Sequence, residues 1–239
     1  MIKIIFIRHG ESNENIAMED GKSYDKNNIK LTKLGREQAE KTGKYLYETF
    51  GKFDLIFTSP IKRCVETTEI ISKEIKYSGK IIEDKLLSEI GNPFAGLSTE
   101  ERNKIIKKNT KLINTWKKIE ETKDPFEKFD LRVKERQIYE NDYYFTPNNT
   151  ESTKNCKKFL NKLKKEKSKN ILVISHWGTI DTILRILCNL DNISIPFILS
   201  SKSYKEIKEI FGNCSCFYVG LKDSKYHIVM PPNTYHLES

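Results

Sequence analysis

The sequence predicts an α/β fold: a three-layer sandwich with a mostly parallel central sheet and a helical cap inserted into it. Three observations carry this. Short apolar runs alternate with helical periodicities, in the order strand, helix, strand, helix, strand and later helix, strand, helix. The runs are almost continuously apolar, as strands covered on both faces must be. The segment from 91 to about 149 departs from this pattern, mixing Lys, Glu, Asn and aromatics. The 239 residues are read as one domain, 1–239, with that segment as the cap insertion.

The elements follow in order. Residues 2–7 form the first strand, which ends at Arg8. Thr32 reads as the N-cap of a helix reaching Phe50, with Gly35, Ala39, Gly43, Leu46 and Phe50 as its small or apolar positions. A second strand covers 54–58. Pro60 then opens a helix carrying Cys64, Thr68, Ile71 and Ile75 down one face. A short third strand covers 80–83. Inside the insertion, helices are expected near 98–109 and 111–121, followed by a stretch from 125 to 147 rich in Tyr and charge and given no regular structure. The rest reads as a helix over 150–167, a strand over 170–175, a helix over 178–189, a loop with one helix near 203–210, and strands over 214–221 and 225–230.

Composition narrows the class. With 42 basic and 33 acidic residues the net charge is +9, which favours anionic partners without choosing among them. No apolar stretch approaches the ~20 residues of a membrane span, and the first apolar run is too short for a signal peptide. Five cysteines, an odd number, are read as reduced and mostly buried thiols in a cytoplasmic protein. Cys214 and Cys216, one residue apart, would face the same side of a strand and are read as core.

The chemistry lies at strand ends. The chain has four histidines, and two stand in equivalent places: the first strand runs into Arg8-His9-Gly10, and the strand at 170–175 into His176-Trp177-Gly178. In open α/β sheets, ligands bind beyond the carboxyl ends of the strands. The second strand ends in Ser59-Pro60, which places Arg63 in the first turn of its helix, and Glu89 follows the third strand. Parallel strands would gather these groups on one rim. Arginine forks match phosphate oxygens. Backbone N–H groups at Gly10 and at the helix start would add donors. A neutral imidazole is a competent nucleophile at phosphorus, and a carboxyl can protonate a leaving oxygen. A metal held by His9, His176, Glu89 and Asp181 is the rival reading. Arg8 and Arg63 beside a cation at ~4 Å would each cost about 4 kcal/mol at an effective dielectric of ~20. The cluster is therefore read as an anion site with no metal and no cofactor.

These residues carry a family resemblance. Arg8-His9-Gly10-Glu11-Ser12 followed by Asn15 resembles the signature of the histidine phosphatase superfamily, in its phosphoglycerate mutase-like branch. Leu31-Thr32 with Gly35 and Gln38-Ala39, Thr58-Ser59-Pro60 with Arg63 and Thr67, Leu87-Ser88-Glu89 with Gly96-Leu97-Ser98, and Ser175-His176-Trp177-Gly178 resemble its further motifs, in order. The resemblance implies a phosphoglycerate mutase-like sandwich. It makes His9 the phosphorylated nucleophile, has Arg8, Arg63 and His176 hold the phosphoryl oxygens, and lets Asn15 and Ser12 add hydrogen bonds. Glu89 becomes the proton donor and then the base that activates water.

Departures from the pattern set the activity. Trp177 stands where relatives often have glycine, and it either narrows the pocket and stacks on substrate or packs against the cap. Ile90-Gly91-Asn92-Pro93 and Ala95-Gly96-Leu97-Ser98 replace the segments by which glycolytic mutases grip a carboxylate. The expected activity is thus hydrolysis of phosphate monoesters through a phosphohistidine. A cofactor-dependent phosphoglycerate mutase is the alternative, and an inactive basic binding module the second. The expected partner is a small phosphorylated substrate, with no nucleic acid and no membrane; oligomeric state is not legible. The run Lys154, Lys157, Lys158, Lys162, Lys164, Lys165, Lys167 and Lys169 is read as a solvated face. Arg132, Lys134, Arg136, Tyr139, Tyr143 and Tyr144 either contact the non-reacting part of a substrate or serve ordinary cap packing and solvent exposure, and His227 and His236 are read as incidental.

Overall fold

The computed structural model describes residues 1–25, 27–89, 96–142, 151–189 and 212–238. The strands are β1 (Ile2–Arg8), β2 (Leu55–Thr58), β3 (Ile81–Glu83), β4 (Asn170–Ser175), β5 (Cys216–Lys222) and β6 (Lys225–Asn233). The helices are α1 (Asn13–Glu19), α2 (Lys33–Phe50), α3 (Lys62–Glu74), α4 (Thr99–Ile106), α5 (Thr110–Glu121), α6 (Pro125–Asp142), α7 (Glu151–Leu163) and α8 (Trp177–Leu187). Among the described residues no helix is long and apolar enough to cross a membrane.

The strands form one sheet in the order β3-β2-β4-β1-β5-β6. β3, β2, β4 and β1 are mutually parallel, whereas β5 pairs antiparallel with both β1 and β6. The sheet is therefore mixed, parallel on the side that carries the strand-end histidines. Strand alternation divides the core in two. Ile4, Phe6, Phe57, Val173 and Phe217 point to the face covered by Phe159 and Leu163 of α7 and Ile183 of α8. Ile5, Ile7, Ile56, Leu172 and Ile174 point to the face covered by Ala39 and Leu46 of α2 and Cys64 and Ile71 of α3. Helices on both faces of the sheet are the expected three layers.

α2 begins where expected, with the Thr32 hydroxyl accepting from the Gly35 N–H at 2.9 Å. α3 starts at Lys62 with Ile61 as its N-cap, one turn boundary later than Pro60 suggested. The other differences are larger. α1 was not anticipated; it is a seven-residue helix opened by a capping box between Ser12 and Asn15. α6 occupies much of the stretch read as irregular. Its first turn is fixed by Asp124, whose Oδ1 accepts from the Phe126 and Glu127 N–H groups at 2.8 Å, and proline is well suited to the first helical position. α4, α5 and α6 share a small core of Ile106, Leu112 and Ile138. Cys214 lies in the turn before β5 with φ of 58°, yet it reaches the same core as Cys216. The helix expected near 203–210 lies outside the described residues.

Candidate active site

Strand order decides which side chains meet. Arg8 at the end of β1 lies opposite Ser175 at the end of β4, and Thr58 of β2 lies opposite Ile174. His9, His176 and Ser59 therefore emerge side by side. The ladder continues past the strands: His9 N–H donates to Ser175 O and Ser59 N–H to Ile174 O, both at 3.0 Å. The two imidazole centroids are 5.3 Å apart. β3 leads into a 3-10 turn over Lys85–Leu87, and Leu87 O accepts from the Ser175 hydroxyl at 2.8 Å, which brings Glu89 to the rim.

His9 is 3% exposed. Its Nδ1 is 2.8 Å from Gly10 O, so Nδ1 carries the proton and Nε2 presents a lone pair. Arg63 Nε donates to that Nε2 at 2.9 Å. The same guanidinium reaches Glu89 Oε2 at 2.8 Å and Glu14 Oε2 at 3.3 Å. His176 is fully buried, with Nε2 at 2.8 Å from Ser59 Oγ and 3.4 Å from Cys64 Sγ. Its Nδ1 faces Glu89 Oε2 at 3.8 Å. Burial, and after it the charge of Arg63, the neighbouring His176 and the charge of Arg8, hold the His9 imidazole well below the ordinary histidine range. Burial, Arg63 and Arg8 do the same to His176. Both rings are thus neutral at physiological pH.

The remaining expected residues take the following places. The Arg8 guanidinium lies over the Trp177 ring, 5.3 Å from its centroid, and Trp177 packs on the α7/α8 core. Trp177 is therefore a platform for Arg8. Gly10 differs from expectation: its N–H is taken by the Thr67 hydroxyl at 3.0 Å, and what it offers the site is the carbonyl that orients His9. A Cβ on Gly10 would stand 2.3 Å from Gly35 O, so the first strand-end loop and α2 meet only because both residues are glycine. Ser12 is buried, and its hydroxyl donates to Asn15 Oδ1 at 3.0 Å. Asn15 Oδ1 also accepts from Asn213 Nδ2 at 3.1 Å, and Asn213 reaches His9 O as well. Asp181, weighed above as a metal ligand, instead pairs with Arg185 at 3.2 Å within α8.

Lys162 pairs with Asp84 at 2.8 Å, while Lys154, Lys157, Lys158, Lys164 and Lys165 are exposed. Arg132 pairs with Glu135, Lys134 is exposed, and Tyr143, Tyr144 and the side chains of Arg136 and Tyr139 lie outside the described residues. His236 is buried against Tyr45 and 3.0 Å from Thr42 Oγ1. Glu14 and Tyr24 were not anticipated, because nothing in the sequence distinguishes them from surface residues.

The arrangement can bind a tetrahedral anion between two guanidinium groups, present a neutral imidazole lone pair to it, and keep a carboxyl beside it. A 2,3-bisphosphoglycerate-dependent phosphoglycerate mutase of Wigglesworthia glossinidia brevipalpis is 26% identical over 219 residues, covering 82% of this chain and 86% of its own. An uncharacterized phosphatase of Bacillus subtilis is 33% identical over 104 residues, 44% of this chain and 51% of its own. A phosphoserine phosphatase of Entamoeba histolytica, solved in complex with 3-phosphoglyceric acid, shares the fold with a TM-score of 0.61 at 22% identity, over 99% of this chain and all of its own. The family profile described as the histidine phosphatase superfamily (branch 1) matches residues 4–198, and this chain belongs to that superfamily.

Proposed function

We propose that the chain is a phosphatase that hydrolyses phosphate monoesters through a phosphohistidine on His9. One observation carries this reading: His9, His176, Arg63 and Glu89, far apart in sequence, meet at the carboxyl edge of the parallel strands with His9 Nε2 unprotonated. Substrate phosphate enters between Arg8, Arg63 and His176, and Arg63 exchanges its bond to His9 Nε2 for a phosphoryl oxygen. The Nε2 lone pair then attacks phosphorus as the ester P–O bond breaks. As general acid, Glu89 gives a proton to the leaving oxygen, and the alcohol departs. Glu89, now a carboxylate, takes a proton from water whose oxygen attacks phosphorus. The P–N bond breaks, phosphate leaves, and His9 is restored. Most of the barrier is lowered by positioning and by the guanidinium charges on the transferring group.

Asn15 and Ser12 contribute by holding the loop that carries His9. Substrate choice rests on the insertion at about 91–149, which follows Glu89 in the chain. The free buried thiols of Cys64, Cys156, Cys214 and Cys216 support a cytoplasmic location. The test is p-nitrophenyl phosphate and a panel of metabolite phosphates with purified protein. Turnover abolished by His9→Ala is expected, and no turnover on any ester would reject the reading. Isomerisation of 3-phosphoglycerate faster than phosphate release would establish the mutase instead, the activity named for the Wigglesworthia relative.

A further inference from the structure

Arg63 is held from three sides, and only two of the contacts belong to the reaction. Its bond to His9 Nε2 must open when phosphorus arrives, and its bond to Glu89 must adjust when Glu89 moves a proton. The third contact, NH1 to Glu14 Oε2 at 3.3 Å, need not change at all. The Glu14 side chain is 13% exposed, and its other oxygen accepts from the Tyr24 hydroxyl at 2.6 Å. Burial and this hydrogen bond push the Tyr24 phenol up, so Tyr24 keeps its proton and Glu14 stays the acceptor. Tyr24 is itself fixed. Its N–H donates to Gly96 O at 3.3 Å, Ser23 Oγ donates to Glu101 Oε2 at 3.1 Å, and Thr99 N–H donates to Gly21 O at 2.9 Å. The strap after α1 is thereby tied to the start of the insertion.

We propose that Glu14, held by Tyr24, is a positioning residue that aims Arg63 at the phosphoryl oxygens. The inference rests on the phosphatase reading. A carboxylate beside a dianion site opposes binding through its charge alone, so its presence here is explained by geometry. Each Glu14 oxygen has a protein partner, Tyr24 on one and Arg63 on the other, so its contacts tie it to the scaffold of the site. The two explanations give opposite signs. If Glu14 acted only through charge, Glu14→Gln would tighten the binding of inorganic phosphate and spare turnover. If it aims Arg63, the loss falls on the transition state, where a displacement of about 1 Å can cost roughly 100-fold.

The experiment measures kcat and KM on p-nitrophenyl phosphate, with inhibition by phosphate and by vanadate, for the wild type, Glu14→Gln, Tyr24→Phe, Arg63→Met and Glu14→Gln combined with Arg63→Met. Glu14→Gln is expected to lower kcat roughly 10- to 100-fold and Tyr24→Phe roughly tenfold. Vanadate inhibition should weaken by similar factors, while phosphate inhibition is unchanged or stronger in Glu14→Gln. The double variant should be no slower than Arg63→Met, because Glu14 acts through Arg63. Wild-type kcat and vanadate inhibition in both single variants would overturn the proposal, as would losses that multiply fully with Arg63→Met. Should Glu14→Gln not fold, Tyr24→Phe, which loses one hydroxyl, decides the matter by the same readouts. A wild type without turnover removes the phosphatase reading and this inference together; an active wild type with unaffected variants removes this inference alone.

Discussion

Replacing Arg63 by methionine keeps most of the side-chain volume and removes the guanidinium. The group is 4% exposed and makes bonds of 2.9 Å to His9 Nε2 and 2.8 Å to Glu89 Oε2. In the proposed reaction the bond to His9 Nε2 is exchanged for one to a phosphoryl oxygen. Removing one preorganised donor from a transition-state oxyanion costs about 10²–10³ in rate, and an arginine on a transferring phosphoryl group about 10³ or more. The expected fall in kcat/KM is thus about 10³-fold, or ~4 kcal/mol. A second effect has a definite sign. After burial, Arg63 is the largest influence holding His9 and His176 below the ordinary histidine range. Without it, and with Glu14 and Glu89 left in place, both imidazoles become easier to protonate. The acid limb of kcat/KM on p-nitrophenyl phosphate, followed from about pH 5 to 8, should move up toward the ordinary value of ~6.5. NMR titration of the histidine ring protons reads the same shift without turnover. A rate loss under about tenfold, or histidine titrations that stay put or move down, would refute this account of Arg63.

Three further outcomes are expected. Glu89→Gln should slow hydrolysis of alkyl phosphates far more than that of p-nitrophenyl phosphate, whose leaving group needs little help from an acid; equal losses would argue against a proton-donating Glu89. In the native protein Ellman's reagent should react quickly with Cys188 and slowly with Cys64, Cys156, Cys214 and Cys216, which are buried, with burial pushing the Cys156 and Cys214 thiols up to about 12. Stability should fall on acidification: burial pushes His236 down to about 4, so its neutral form stabilises the fold above ~6.5 and that contribution is lost as pH falls toward the folded value, at up to ~1.4 kcal/mol per pH unit. Urea midpoints between about pH 7 and 5 should flatten in His236→Gln, and an unchanged slope would exclude His236 as a contributor.

The parts of the fold that were legible are those where burial writes a pattern. The centres of β1 and β4 are covered on both faces, so Ile4 to Ile7 and Ile171 to Ile174 are continuous apolar runs. α2 buries Gly35, Ala39, Gly43 and Leu46 along one stripe, at helical spacing. α1 buries nothing, and its cap pairs Ser12 with an asparagine rather than Glu or Gln, so neither period nor cap announced it. α6 misled in another way: Phe126 is 83% exposed and Phe129 53%, so the apolar residues at its start do not lie on the side that buries Ile138. Asp124-Pro125 was the usable signal there. The meeting of His9, His176, Arg63 and Glu89 was legible because strand ends and motif spacing placed each of them on one rim. Glu14, Tyr24 and the Ser59 contact to His176 were not, since a carboxylate or hydroxyl near an active site reads the same as one in water. Gly10 shows the limit from the other side. Its place was legible, but not that Thr67 claims its N–H, because that depends on how α3 packs.

The central claim is that His9 carries the phosphoryl group. Rapid quenching of the enzyme with ³²P-labelled substrate, followed by peptide mapping, tests it most directly. The account predicts an acid-labile, base-stable phosphate on His9 that is absent from His9→Ala. Label on another residue, or full turnover by His9→Ala with no phosphoenzyme, would contradict it.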